Sequence, residues 1–166
     1  MNIVDPIWDS IKSEAQQLAS EEPILADFFQ SSVLQYNSLE AAVGHVLAET
    51  FANSSINSED IRAVIAEALE HDPQIGASIR RDIEAAFHRD AACQYYLMPL
   101  IYFKGFQALQ LYRVSHWLWN NQRYSFALFL QNNISERFAV DIHPAAQLGD
   151  GIMIDHATGL VIGETA

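Results

Sequence analysis

An aliphatic residue recurs at every sixth position near the end of this 166-residue sequence. The members of the repeat are Ile142, Leu148, Ile154 and Leu160, after which Ile162 starts a new register. A period of six fits neither the 3.6-residue period of an α-helix nor the two-residue period of a strand. It is typical of a parallel β-helix, in which three hexapeptides make a coil of about 18 residues around an aliphatic core. We therefore predict that residues 139–166 form the first one to two coils of a left-handed parallel β-helix.

Residues 1–138 have a helical pattern instead. N-capping side chains, helix-initial prolines or both mark the predicted helix starts, at Asp5-Pro6, Pro23, Asn37-Ser38, Asn57, Asp72-Pro73 and Pro99. A long helix is predicted from Pro99 to about Asn121, and a last one from Gln122 to about Phe138. The predicted fold class is mainly α, with a helical oligomerisation domain over 1–138 and the start of a β-helix over 139–166.

The composition limits the partners and the compartment. The chain has 21 acidic and 9 basic residues, a net charge of −12, and binders of nucleic acid or anionic membranes need a basic face. We therefore expect neither partner. The single cysteine, Cys93, cannot form an internal disulfide, and the first residues resemble no signal peptide. Both features favour a cytoplasmic location.

His156 is the leading candidate for chemistry. It stands two places after the inward-facing Ile154, so its side chain is predicted to project from the surface of the coil. Histidine ordinarily has a pKa of about 6.5, which suits a general base at neutral pH. Asp141 lies 15 residues earlier, within about one rung of ~4.8 Å if a coil has about 18 residues. An Asp141–His156 dyad is one interpretation and a surface or loop-capping role is the other, while Asp155 is predicted to point elsewhere.

A metal site is the less favoured alternative. His143 and His156 could both contribute to a zinc site between subunits, but their 13-residue spacing and the lack of a third cluster argue against one. We therefore predict no metal site.

Several strings of this sequence resemble bacterial serine O-acetyltransferases. They are Tyr102-Phe103-Lys104-Gly105-Phe106-Gln107-Ala108-Leu109-Gln110, Asp141-Ile142-His143-Pro144 and Asp155-His156-Ala157-Thr158-Gly159. This resemblance implies acetyl transfer from acetyl-CoA, a co-substrate, to the hydroxyl of L-serine in cysteine biosynthesis, with no permanently bound cofactor. It also implies a homohexamer built as a dimer of trimers.

The resemblance also implies roles for individual residues. His156 matches the catalytic base and Asp141 its dyad partner, whereas Asp90 and Asp155 match carboxylates that hold the substrate serine through its ammonium group. The sequence departs from the family at Ala91, where a proline is expected, and this puts the loop around Asp90 in question.

Family members continue for several further coils. Those coils carry most of the acetyl-CoA site, an Arg-His pair for the serine carboxylate, and a C-terminal tail that docks O-acetylserine sulfhydrylase. We therefore expect the 166-residue chain to be inactive by itself, and residues 141–166 to be poorly ordered or to take their order from neighbours. The alternatives are a non-catalytic helical oligomerisation module carrying a solenoid stub, and a hexapeptide acyltransferase with another acceptor, such as a sugar.

Overall fold

The computed structural model describes residues 4–166, and helices dominate them. Four helices begin at predicted N-caps: α1 (Pro6–Glu21), α3 (Leu39–Phe51), α4 (Ser58–His71) and α5 (Pro73–Arg89). The caps are Asp5, Ser38, Asn57 and Asp72, and each side chain accepts a hydrogen bond from a backbone N–H two or three residues later. These bonds satisfy donors that the first helical turn leaves unpaired. Over residues 4–166, none of the helices combines the length and apolarity needed to cross a membrane.

The second predicted helix changes pitch along its length. It consists of a 3₁₀ turn (Pro23–Leu25), a single α-helical turn, α2 (Ala26–Phe29), and a π turn (Gln30–Leu34). Phe29 and Val33 are buried, whereas Ile24 lies in solvent. The segment is therefore helical as predicted but presents a narrow apolar face to the core.

The prediction of one long helix from Pro99 to Asn121 was wrong, because the helix is interrupted at Phe103. Two helices, α6 (Leu97–Tyr102) and α7 (Lys104–Asn120), replace it, and Phe103 adopts an extended conformation between them. The side chain of Gln107 donates to the carbonyl oxygen of Leu100 at 2.9 Å, so the end of α6 keeps a hydrogen-bond partner. The break lets the first turn of α7 pack against the later β-helix segment.

The last helix, α8 (Tyr124–Phe138), leads directly into the β-helix segment. Ala139 ends the helix in the left-handed conformation, and β1 (Val140–Ile142) then pairs in parallel with β2 (Leu160–Ile162). In this register Val140 lies opposite Leu160, so one coil takes 20 residues. The predicted length of about 18 residues was wrong.

The β-helix segment packs on the helical part of the same chain. The hydroxyl of Tyr112 donates to the carbonyl oxygen of Ala146, and Nδ1 of His116 lies 2.7 Å from the carbonyl oxygen of Pro144. Apolar residues of both parts belong to one continuous hydrophobic core. Residues 141–166 therefore contact helices of this chain, and the expectation about their order stays a prediction.

His45 in α3 generates a prediction about pH and stability. Its ring lies 5.2 Å from that of Tyr36 and its Nδ1 is buried, with no hydrogen-bond partner among residues 4–166. Burial lowers its pKa below the ordinary 6.5. The unfolded chain therefore takes up a proton at His45 before the folded chain does. The stability that neutral His45 contributes is present above about pH 6.5 and is lost as the pH falls through the lower folded pKa.

We expect the free energy of unfolding of the wild-type chain to decrease between about pH 7.5 and about pH 5 more steeply than that of His45→Phe. Urea titrations at several pH values measure both slopes. Equal slopes in the two proteins would contradict the prediction.

Candidate active site

A cleft of about 290 Å³ lies where the end of α5, the break between α6 and α7, and residues 152–156 meet. Three of the four side chains singled out in the sequence line it: Asp90, Asp155 and His156. The rest of the wall is largely apolar and comes from α5 and the loop after it, α6, the start of α7 and the coil. A few polar groups converging in an apolar cleft are characteristic of a small-molecule site.

Asp90 is held in place by the turn that follows α5. Its backbone N–H donates to Ala86 at 3.0 Å, and its side chain accepts a hydrogen bond from the backbone N–H of Ala92 at 2.8 Å. This side-chain turn shapes the loop with alanine at position 91, where the resemblance led us to expect proline. The departure at Ala91 therefore leaves Asp90 on the wall of the cleft.

His156 lies on the outer side of a loop at residues 155–159. Its side chain is 95% exposed, and its Nε2 lies 3.7 Å from Oδ1 of Asp155. The expectation that Asp155 points elsewhere was therefore wrong. A positive φ at His156 turns the chain so that neighbouring side chains can approach each other, whereas a regular coil would alternate them.

Asp141 lies apart from this loop. It stands opposite Val161 in the β1–β2 pair, and its Oδ1 accepts a hydrogen bond from Nε2 of Gln131 in α8 at 2.7 Å. Among residues 4–166, no hydrogen bond or ion pair joins Asp141 to His156. The predicted spacing assumed the shorter coil, and the dyad stays a prediction.

A buried ion pair whose carboxylate lines the cleft was missed in the sequence. Asp82 of α5 is fully buried and Arg113 of α7 is 7% exposed, with Nη2 of Arg113 2.7 Å from Oδ2 of Asp82. Nε2 of Gln110 and the backbone N–H of Ile152 also donate to this carboxylate, at 3.0 and 2.9 Å. Arg113 donates further to the carbonyl oxygen of Gly149 at 3.0 Å, so the pair ties α5 and α7 to the coil.

The signal for this pair was present in the helical pattern. Asp82 stands between Ile79 and Ile83, which are both buried, and so lies on the apolar stripe of α5. A charge on such a stripe must find a partner, because an unpaired buried charge is very unfavourable. The partner could not be chosen from the sequence, since it depends on how α7 packs.

His143, a candidate ligand for a zinc site between subunits, makes other contacts in the described part of this chain. Within residues 4–166, no three His, Cys, Asp or Glu side chains are grouped so that they could hold a metal ion. Nδ1 of His143 accepts a hydrogen bond from the backbone N–H of Ala145 at 3.1 Å, and its ring lies 5.1 Å from that of Trp119. His143 thus shapes the turn after β1.

Comparison with known proteins agrees with this architecture. The family model for the N-terminal region of serine acetyltransferase matches residues 7–111, more than half of the chain. This chain belongs to the serine acetyltransferase family. The curated serine acetyltransferase of Haemophilus influenzae is 48% identical over 160 residues, and that of Escherichia coli K12 is 49% identical. The match covers 96% of this chain, which spans about 60% of the length of these relatives.

Solved structures of serine acetyltransferases share the fold. A serine acetyltransferase in complex with CoA has a TM-score of 0.94 at 48% identity, and its match covers 96% of this chain and 67% of that one. The enzyme from Brucella abortus strain S19 has a TM-score of 0.95 at 42% identity, covering 98% and 67%. The predicted mainly α fold, followed by the start of a β-helix, is confirmed.

The buried ion pair generates a prediction about stability. We expect Asp82→Asn to reduce the free energy of unfolding by about 3–5 kcal/mol, because it leaves the charge of Arg113 buried without its counter-ion. Urea unfolding measures the loss. Glu67→Gln is the matched control, because Glu67 pairs with Arg123 in solvent and such pairs contribute about 0–1 kcal/mol. Equal losses in the two variants would show that burial does not set the strength of the Asp82 pair.

Proposed function

We propose that this chain carries the N-terminal part of a serine O-acetyltransferase, which transfers the acetyl group of acetyl-CoA to the hydroxyl of L-serine in cytoplasmic cysteine biosynthesis. The convergence of Asp90, Asp155 and His156 in one cleft carries the proposal, because a base and carboxylates for an ammonium group are the groups this reaction needs. The relatives' names support it, as do related structures described as complexes with CoA and with cysteine. Acetyl-CoA is a co-substrate, and no permanent cofactor is required.

His156 is the proposed general base. The serine hydroxyl is a weak nucleophile until its proton is removed. The imidazole takes that proton as the hydroxyl oxygen forms a bond to the thioester carbon. The tetrahedral intermediate then breaks its carbon–sulfur bond, and the imidazolium returns the proton to the leaving CoA thiolate. The products are O-acetylserine and CoA, and the base is regenerated.

Asp90 and Asp155 are the proposed ligands of the serine ammonium group. Both line the cleft with His156, so two carboxylates and the imidazole face the same space. A serine held there by its ammonium group presents its hydroxyl to the imidazole. Substrates without the ammonium group would lose this contact, which accounts for selection of an amino acid over a sugar.

Asp141 is the proposed orienting partner of His156, on the strength of the family resemblance. The described geometry offers a second carboxylate, since Asp155 lies 3.7 Å from the imidazole. An orienting carboxylate acts on the base and therefore affects kcat. A carboxylate that binds the serine ammonium group affects the KM for serine instead. Asp141→Asn should lower kcat with little change in the KM for serine.

The division into two functional units is part of the proposal. Residues 1–138 serve as the oligomerisation domain of a homohexamer arranged as a dimer of trimers, and residues 139–166 start the acyltransferase domain. Exposed apolar side chains on the helical part support association: Ile24, Phe28, Tyr124 and Leu128. Most of the acetyl-CoA site, and the tail that docks O-acetylserine sulfhydrylase, belong to the further coils of the family.

A non-catalytic helical module carrying a solenoid stub is the second candidate. It is favoured by the exposed outer strand, where Val161 is 71% exposed, and by the roughly 60% of the relatives' length that the chain spans. We expect the 166-residue chain, mixed with L-serine and acetyl-CoA, to release no thiol above a serine-free control. Serine-dependent thiol release by this chain would refute the module.

His156 is tested in the extended enzyme. This is the present chain continued by its own reading frame or, if that frame ends at Ala166, by the residues of the Haemophilus influenzae relative beyond the match. We expect His156→Ala to lower kcat for serine acetylation by about 10²–10⁴-fold, the usual contribution of a general base. The oligomeric state, measured by light scattering, should stay that of the wild type. Near-normal turnover would exclude His156 as the base.

The contrasting variants change the two carboxylates that are proposed to bind the serine ammonium group. Asp90→Asn and Asp155→Asn each remove a charge-assisted hydrogen bond, so the KM for serine should rise by about 10- to 100-fold. Glu84→Gln, an exposed carboxylate of α5 outside the cleft, is the control and should leave KM unchanged. An unchanged KM in both aspartate variants would assign the ammonium site elsewhere.

A further inference from the structure

The loop that carries His156 has an unfavourable backbone conformation. His156 and Ala157 have φ of +51° and +60°, in the left-handed region, which costs about 1–2 kcal/mol for each residue other than glycine. Such a conformation persists where the surrounding structure determines it. The side chain of His156 is 95% exposed and offers little anchorage, so the loop must be held from other positions.

Lys104, the first residue of α7, reaches the loop from the helical part. Its Nζ donates a hydrogen bond to Oγ1 of Thr158 at 2.6 Å. The backbone N–H of Thr158 donates to the carbonyl oxygen of His156 at 2.8 Å, and its Oγ1 lies 3.4 Å from the same oxygen. A short series of polar contacts therefore connects α7 to the backbone of His156.

Gly105, the next residue, lets α7 come close enough for that contact. A Cβ atom at this position would lie nearer to the carbonyl oxygen of Ile154 than the 3.0 Å limit that real Cβ atoms keep, and 3.1 Å from Cβ of Ala157. The first of these neighbours is backbone and cannot turn aside as a side chain would. Ala157 is itself buried. The loop is therefore held against α7 both before its left-handed turn, at Ile154, and within that turn, at Ala157.

We propose that Lys104, Gly105 and Thr158 form a latch that positions His156 for proton transfer. This inference deepens the proposed function and rests on it. The three residues act through the loop backbone and are positioning residues. The latch also gives Lys104 and Gly105 of the Lys-Gly-Phe string a physical reason, since the close contact requires glycine and the Thr158 contact requires a long side chain that ends in a hydrogen-bond donor.

The backbone part of the latch is tested by a pair of glycine variants in the extended enzyme. Gly105→Ala forces the loop away from α7, and a displacement of about 1 Å at a reacting group can cost about 100-fold. We expect kcat to fall by about that factor, with the KM for acetyl-CoA unchanged. Gly44→Ala is the matched control, because a Cβ there meets Ile65 at an ordinary 3.7 Å inside a helix. Equal kcat in the two variants would overturn the proposal.

The polar part of the latch is tested at Lys104 and Thr158. Lys104→Met and Thr158→Val should each lower kcat about tenfold or more, and Thr158→Ser, which keeps the hydroxyl, should recover most of the loss. Lys104 lines the cleft and Thr158 does not. A raised KM for serine in Lys104→Met alone would instead make Lys104 a substrate ligand and overturn its place in the latch.

Dependence on the base separates positioning from a general structural effect. In a His156→Ala background, Lys104→Met and Gly105→Ala should cause no further loss of kcat, because groups that act through one residue are non-additive. A further loss of the original size would show that these residues act independently of His156 and would overturn the proposal.

Hydrogen exchange gives a readout that needs no activity. In the extended enzyme, the backbone amides of 157–160 should exchange faster in Gly105→Ala and Lys104→Met than in the wild type and in Gly44→Ala. If the wild type transfers no acetyl to serine, the proposed function fails while this measurement still decides whether the latch holds the loop. Unchanged exchange in both latch variants would overturn the proposal, whatever the activity.

Discussion

A fully buried carboxylate sets how the two parts of this chain sit together. Asp82 has no water to solvate it, so its charge is stable only where protein donors surround it. Arg113 and Gln110 of α7 supply side-chain donors, and the backbone N–H of Ile152 supplies one from the coil. Because these donors come from separate elements, satisfying the carboxylate also aligns α5, α7 and the first coil.

The cleft is a consequence of that alignment. It opens between the helices and residues 152–156, and Asp82 is itself part of its lining. Asp90 reaches it from the end of α5, while Asp155 and His156 reach it from the coil. The left-handed turn at His156 exposes the imidazole, and the contact of Gly105 with Ile154 backs that turn. The contacts between the helices and the coil therefore affect both the stability of the fold and the geometry of the proposed active site.

Local features of the sequence predicted most of the fold. The caps at Asp5, Ser38, Asn57 and Asp72 act within a few residues, so the helix starts that depend on them were readable in advance. The break at Phe103 was not, because it arises where α7 packs on the coil. The length of the coil was also mispredicted, since strand register depends on pairing between residues 20 apart.

The candidate site divides in the same way. The residue types were recognisable in the sequence, and three of the four singled out share the cleft. The side-chain contacts of these residues were not recognisable. The carboxylate of Asp155 lies next to the imidazole of His156, and Asp141 accepts a hydrogen bond from Gln131. By itself, then, the sequence determined the helical and hexapeptide patterns, the family and the reactive groups, because these depend on residue identity and short-range spacing. The tertiary structure alone decided the choice of Arg113 as the partner of Asp82, the coil register and the approach of α7 to the His156 loop, because these depend on contacts between residues far apart in the chain.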